Sequence, residues 1–144
     1  MVGMFDHRKD GEHQRHGIDR SVVLENGKQH WIDEKVRWKA YNDIALEEWS
    51  DESRKKPGWV SKPLMCDYIA YAIAPLGMCY LLPVIQLQTA WRMNCSAWQN
   101  ECFEIKAPNR GYTTISWAVP MEKLFRAIGN CHRMKLSKMH YARK

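Results

Sequence analysis

Hydrophobic and polar residues alternate along much of the first third of the chain, in the pattern of strands with one buried face. The segment 17–35 predicts two such strands joined at Asn26-Gly27, a dipeptide that favours a hairpin turn. Residues 43–49 alternate in the same way and predict a third strand. We expect a short helix around residues 10–16 to lead into the hairpin.

Residues 68–91 carry no charged side chain, and this length alone would be enough to span a bilayer. Two prolines and a glycine interrupt the stretch, and its second half is polar on one side. We therefore expect no membrane span. The pattern instead predicts two buried strands, 68–74 and 78–82, followed by a helix that opens at Pro83, where proline is well tolerated.

The rest of the chain completes a fold of the α/β (α+β) class. The charged segment 51–57 is expected to be a loop, and 108–111 a turn within a polar, irregular region. Residues 112–118 predict a strand, and a last helix begins at Pro120. At this length we expect a single domain over residues 1–130.

The turn at Asn26-Gly27 decides which residues of the hairpin face each other. A two-residue turn would pair Asp33 with Arg20 and leave Asp19 and Asp33 on opposite faces. A three-residue loop over residues 25–27 pairs Asp19 with Asp33 instead. This loop needs a left-handed residue at its last position, which Gly27 accepts without steric cost. We therefore expect the three-residue loop, with Gly27 at positive φ.

In that register, the Cβ atoms of Asp19 and Asp33 lie about 5 Å apart, close enough to share one Mg²⁺, or Mn²⁺ in its place. Lys35 follows on the same face, where its ammonium group would position an attacking water. The Glu34 backbone carbonyl is another candidate ligand. Two further carboxylates are candidate metal ligands: Glu12 and Glu47. The alternative is a solvated surface hairpin without chemistry.

The spacing from Asp19 to Asp33-Glu34-Lys35 resembles that of the PD-(D/E)XK nuclease superfamily. Four segments are similar to small phage and prophage proteins of this type: Gln14-x-x-Gly17-Ile18-Asp19-Arg20, Tyr41-Asn42-Asp43-Ile44-x-Leu46-Glu47, Pro57-Gly58-Trp59 and Cys66-Asp67-Tyr68-Ile69-Ala70-Tyr71. Ile18 stands in the place of the family's proline. The resemblance implies a mixed central β-sheet flanked by helices, with a restriction-endonuclease-like core. It also implies a magnesium-dependent deoxyribonuclease.

The net charge of +6 is concentrated at the C-terminus, where residues 123–144 hold seven Lys or Arg and no Asp or Glu. We expect residues 131–144 to form a basic tail that brings DNA, or alternatively RNA, to the acidic site. Trp59 is a candidate for stacking on an unpaired base. The candidate nucleic-acid contacts are Lys55, Lys56, Trp59, Arg133, Lys135 and Lys138. Two alternatives remain: a non-catalytic nucleic-acid-binding protein and a phage structural or interaction protein.

The five cysteines form no C-x-x-C pair, so we expect reduced, mostly buried thiols. A zinc site assembled from distant residues is the alternative, with Cys95, Cys102, Cys131 and His132 as its ligands. The first ten residues are too charged for a secretory signal. We expect a cytoplasmic protein of a bacterial or phage-infected cell.

Overall fold

The computed structural model describes residues 3–6, 20–23, 26–129 and 132–135. These residues divide into two compact units. The first unit is drawn from Met1–Ala40, Leu64–Val84 and Cys131–Lys144, and the second from Tyr41–Pro63 and Ile85–Asn130. Each unit contains one β-sheet. The described residues form more strands than helices, and the fold is of the mixed α+β class.

The strands in chain order are β1 (Gly3–Asp6), β2 (Arg20–Val23), β3 (Gln29–Arg37), β4 (Asp43–Asp51), β5 (Lys56–Pro57), β6 (Tyr68–Ile73), β7 (Met78–Pro83), β8 (Phe103–Asn109), β9 (Tyr112–Pro120) and β10 (His132–Lys135). The α-helices are α1 (Val84–Glu101) and α2 (Met121–Ile128), and a 3₁₀ turn covers Ala74–Leu76. Within the described ranges, no helix is long and apolar enough to cross a membrane.

The sheet of the first unit has the strand order β1-β2-β3-β6-β7-β10. All neighbouring strands are antiparallel except β3 and β6, which run parallel. A parallel pair needs a long crossover connection, and here the chain between β3 and β6 supplies β4 and β5 of the second unit. One face of this sheet packs an apolar cluster, which comprises Ala70, Ala72 and Cys79 with Ile32, Val36 and Leu81.

The hairpin between β2 and β3 has the register of the three-residue loop. Arg20 pairs with Ile32 and Val23 with Gln29, and Gly27 has a φ of 81°. Both the predicted register and the predicted conformation of Gly27 are therefore confirmed for the described part of the hairpin. The tighter two-residue turn would have paired Arg20 with Asp33.

The sheet of the second unit has the order β5-β4-β9-β8 and is antiparallel throughout. Helix α2 packs on β9 and β4 of this sheet. Glu48 joins α1 to the sheet, because its carboxylate accepts hydrogen bonds from Gln99 Nε2 at 2.6 Å and Trp117 Nε1 at 3.2 Å. The most completely buried side chains of this unit include Ile44, Leu46, Val60, Leu87, Val119 and Leu124.

Most predicted elements after residue 43 are confirmed, including the buried strands β6 and β7, the helix after Pro83 and the final helix. The prediction of one central sheet is wrong, because β4 pairs with β5 and β9 rather than with the hairpin. The polar region before the turn at 108–111 is strand β8. Four residues of the predicted basic tail instead form β10, paired with β7. The predicted helix at 10–16 lies outside the described residues.

Candidate functional site

Asp33 lies within the long strand β3, opposite Ile69 of the parallel neighbour β6. The residue is only 5 % exposed, and it is one of three buried polar or charged residues in the part of the chain that the structure describes. Removing a carboxylate from water is costly unless a partner compensates its charge. A buried aspartate within a strand therefore needs an explanation.

Lys35 supplies a compensating charge from the same strand. Its side chain leaves β3 two residues further on, which places it on the same face as Asp33. The Lys35 Nζ lies 2.9 Å from Asp33 Oδ2, and the lysine side chain is one-third exposed. The predicted proximity of the two side chains is thus confirmed. The pair joins a buried carboxylate to a cation that reaches solvent.

Cys66 lies near this pair although it is distant in the sequence. Burial, and then the negative charge of Asp33, raise the pKa of the Cys66 thiol to about 12. The thiol is therefore neutral at physiological pH and adds no second negative charge beside Asp33. The sequence predicted a buried core cysteine, which is confirmed, but nothing in the sequence placed it beside the aspartate.

Hydrogen bonds to β3 hold the segment that contains Cys66 in place. The Asp67 N–H donates to the Trp31 carbonyl at 2.7 Å, and the Trp31 N–H donates to Asp67 Oδ2 at 2.7 Å. His30 Nδ1 lies 3.9 Å from the same carboxylate oxygen. These contacts attach the chain before β6 to β3 two residues ahead of Asp33, which explains how Cys66 reaches the site.

The described residues provide only part of the predicted metal site. They contain no group of three or more His, Cys, Asp or Glu side chains arranged to hold a metal. Asp19 and Glu12 lie outside the described residues, and Glu47 belongs to β4 in the second unit. Asp33 offers a carboxylate oxygen and Glu34 a backbone carbonyl, which are the hard donors that Mg²⁺ prefers. The donor type therefore fits the predicted metal.

The zinc alternative gains no support from the cysteines that the structure describes. Cys95 Sγ lies 3.8 Å from the Arg92 carbonyl oxygen, a contact within α1. Burial raises the pKa of the Cys102 thiol, which disfavours the thiolate that zinc requires. Cys131 lies outside the described residues, and the His132 side chain is not among those described.

Trp59 does not occupy the position predicted for it. The residue is 5 % exposed, so its ring belongs to the core and cannot stack on a base. Gly58 explains this burial, because a Cβ at that position would overlap the Glu47 carbonyl. The close approach is fixed by hydrogen bonds from the Gly58 N–H to the Glu48 carbonyl (2.7 Å) and from the Val60 N–H to the Glu47 carbonyl (3.2 Å).

The predicted cationic contacts are divided between the two units. Lys55 and Lys56 are exposed in the second unit, and Lys55 Nζ lies 5.0 Å from the centroid of the Trp49 ring. In the first unit, Arg133 pairs with Tyr80 and Lys135 with Met78 in the β10–β7 ladder. Lys138 lies outside the described residues.

Comparisons with protein-family models, with curated proteins and with solved structures find no match for this chain.

Proposed function

We propose that this protein is a metal-dependent nuclease of the PD-(D/E)XK type that hydrolyses phosphodiester bonds in DNA. The observation that carries the proposal is the ion pair between buried Asp33 and Lys35, at 2.9 Å, within the sequence Asp33-Glu34-Lys35 on β3. A structural strand gains nothing obvious from a carboxylate at a buried position, because an apolar side chain there would avoid the desolvation cost.

The hairpin register supports the second acidic ligand. The described pairs run from Val23 with Gln29 to Arg20 with Ile32. Under the proposal this ladder continues by one residue, so that Asp19 stands opposite Asp33 with a Cβ separation of about 5 Å. Two opposed carboxylates repel each other, and a shared divalent cation would remove that repulsion.

The proposed mechanism assigns a separate role to each group. Asp19, Asp33 and the Glu34 carbonyl would hold Mg²⁺ or Mn²⁺, with Glu12 as a further candidate ligand. Bound metal supplies Lewis-acid polarisation of the scissile phosphate and lowers the pKa of a coordinated water. Lys35 positions the attacking water and stabilises negative charge on the phosphoryl oxygens, since its ammonium has three donors on a flexible stem. The neutral Cys66 thiol leaves the charge of this arrangement unchanged.

A cleavage assay tests the proposal. Supercoiled plasmid and a labelled oligonucleotide are incubated with the protein in Mg²⁺, in Mn²⁺ and in excess EDTA. We expect cleavage in either metal, none in EDTA, and a loss of at least about 10²-fold in Asp33→Asn and in Lys35→Met. Matched controls are Glu122→Gln and Lys106→Met, which remove exposed charges in the second unit and should cut like the wild type.

The non-catalytic alternative makes a different prediction for the same experiment. It is favoured by one observation, namely that Lys35 is already bound to Asp33. If DNA is retarded at low salt but remains uncut in both metals, the protein binds nucleic acid without hydrolysing it. That result would overturn the nuclease proposal. Circular dichroism of each variant separates loss of activity from loss of folding.

A further inference from the structure

We propose that the second unit binds single-stranded nucleic acid in an open cleft between two of its turns. This cleft, called here the turn cleft, is lined by Glu52, Ser53, Asn109, Gly111, Tyr112 and Thr113. The proposal goes beyond the nuclease activity, because it concerns a surface of the second unit and requires no cleavage.

Three hydrogen bonds fix the two turns side by side. The Glu52 N–H donates to the Thr113 carbonyl at 2.9 Å, which joins the turn after β4 to the start of β9. The Thr114 hydroxyl donates to the Ser50 carbonyl at 3.0 Å. Asn109 Nδ2 in turn donates to Thr114 Oγ1 at 2.9 Å, across the β8–β9 hairpin. The walls of the turn cleft are therefore held by contacts between neighbouring strands of one sheet.

The turn after β4 is also ordered internally. Asp51 accepts hydrogen bonds from the Ser53 hydroxyl at 2.8 Å and from Arg54 Nη1 at 2.6 Å. Lys55 adopts a positive φ of 51°, which is unusual for a residue with a side chain and is stabilised here by the surrounding turn. A surface that is ordered before binding loses less conformational entropy when a ligand arrives.

The size and lining of the turn cleft suit a nucleobase. Its volume is about 400 Å³, within the range of small-molecule sites. Tyr112 is 43 % exposed and offers an aromatic ring on which a base can stack. The Glu52 carboxylate, the Asn109 amide oxygen and the Thr113 hydroxyl add hydrogen-bonding groups for the edge of the base.

Four exposed cations lie on the two turns that form the cleft or directly after them: Arg54, Lys55, Lys56 and Arg110. The acidic groups on the same turns are Asp51, which is already bound to Arg54, and Glu52. Cations therefore exceed carboxylates on these turns, as a phosphate backbone requires. A flexible single strand can place a base in the cleft and its phosphates on these cations, whereas a duplex keeps its bases stacked inside.

Fluorescence anisotropy with labelled oligo-dT and oligo-rU tests the proposal, in EDTA so that no cleavage intervenes. We expect Tyr112→Ala to weaken binding about tenfold through loss of one stacked base. The matched control is Phe103→Ala, which removes an even more exposed aromatic side chain from the other end of the β8–β9 hairpin and should bind like the wild type.

Two double variants test the role of the cations near the turn cleft. Lys56→Gln/Arg110→Gln should reduce the slope of log affinity against log salt by about 1.4, as expected for two lost contacts to a single strand. Arg92→Gln/Arg126→Gln removes the same charge from the exposed surface of α1 and α2 and should leave the slope unchanged.

The outcomes separate this proposal from the nuclease proposal. Affinity for either oligonucleotide that falls only in the cleft variants supports the turn cleft, even if the protein cuts nothing. Three results would overturn it: no binding at low salt, equal effects of Tyr112→Ala and Phe103→Ala, or duplex bound as tightly as single strands with no loss in Tyr112→Ala. Cleavage that depends on Asp33 would still stand in each of these cases.

Discussion

Asp33 and Asp51 are buried almost equally, at 5 % and 6 % exposure, but they are surrounded in different ways. Asp51 accepts hydrogen bonds from groups within three residues of it: the Ser53 hydroxyl, the Arg54 N–H and the Arg54 guanidinium. Asp33 contacts Lys35 on its own strand and lies near Cys66, which reaches the site from a distant segment.

The difference indicates two kinds of buried carboxylate. Asp51 ends β4 and orders the turn that follows, so its burial has a structural explanation in its own neighbourhood. The Arg54 guanidinium, and then the Ser53 hydroxyl, lower the pKa of Asp51 to about 2. Asp33 lies inside a strand and shapes no turn. Its position is best explained by the chemistry that we propose for it.

The largest difference between the two aspartates is expected in DNA cleavage, when each one is replaced by its amide. Asp33→Asn should lower DNA cleavage in Mg²⁺ by at least about 10²-fold, because it removes a charge from the proposed reaction site. Asp51→Asn should leave cleavage within about twofold of the wild type under conditions where it is folded. Plasmid nicking rates measure both. Equal losses in the two variants would mean that Asp33 has no special role.

Removing the cations instead should affect stability unequally. Lys35→Met leaves the buried Asp33 carboxylate without its ammonium partner, and we expect the free energy of unfolding to fall by about 1–3 kcal/mol. Arg54→Met should have a smaller effect, because the Arg54 side chain is 62 % exposed and solvent screens its ion pair more than that of Lys35. Urea denaturation at neutral pH compares the two. A larger loss for Arg54→Met would contradict our view of Asp33.

Local sequence signals predicted the hairpin and much of the second half of the chain. The turn at Gly27 could be predicted because the three-residue loop needs positive φ only at its last residue, where the glycine stands, whereas the two-residue turn would need it at Asn26 as well. The strands β6 and β7 followed from an uncharged run broken at Pro75 and Gly77. The division into two sheets could not be predicted, since alternation shows that a strand has a buried face but not which strand it pairs with.

The part of the candidate site that depends on local strand geometry could also be predicted from the sequence. Asp33 and Lys35 are two residues apart, so strand geometry alone brings them together. Cys66 and Tyr112 were missed because their surroundings depend on contacts between distant segments. Trp59 was misjudged because a Pro-Gly sequence usually marks an exposed loop, whereas here the glycine allows close packing against Glu47.

The acid stability of the protein should distinguish Asp51 from carboxylates without its local hydrogen bonds. Its pKa is lowered from 3.8 to about 2 in the folded state. The stabilisation from its ionised form is therefore fully present above about pH 4 and is lost as the pH falls from 4 towards 2. Urea midpoints between pH 2 and pH 5 should fall more steeply in the wild type than in Asp51→Asn.

The control for this titration is Glu122→Gln, which removes an exposed carboxylate and should keep the steep fall of the wild type. Subtracting the urea midpoints of each variant from those of the wild type isolates the contribution of the substituted carboxylate from that of the other carboxylates that protonate between pH 2 and pH 5. If the urea midpoints of the wild type and Asp51→Asn changed with pH in parallel, the hydrogen bonds of Asp51 would not lower its pKa.

The smallest expected effect concerns the Cys66 thiol. Burial is the main reason for its raised pKa, and the charge of Asp33 is the second. In the native wild type, iodoacetamide at pH 8 should label Cys66 far more slowly than the partly exposed Cys95. Asp33→Asn removes only the second cause, so labelling of Cys66 should rise by a few-fold, while Asp51→Asn should leave it unchanged.

Cys79 provides the internal control for this measurement, because it is buried in the same sheet and becomes reactive only when the sheet opens. Peptide mass spectrometry gives the labelling rates of both cysteines in one sample. A rise at Cys66 alone supports an electrostatic effect of Asp33 on its neighbour. A parallel rise at Cys66 and Cys79 would instead mean that Asp33→Asn loosens the sheet, and that Asp33 is as structural as Asp51.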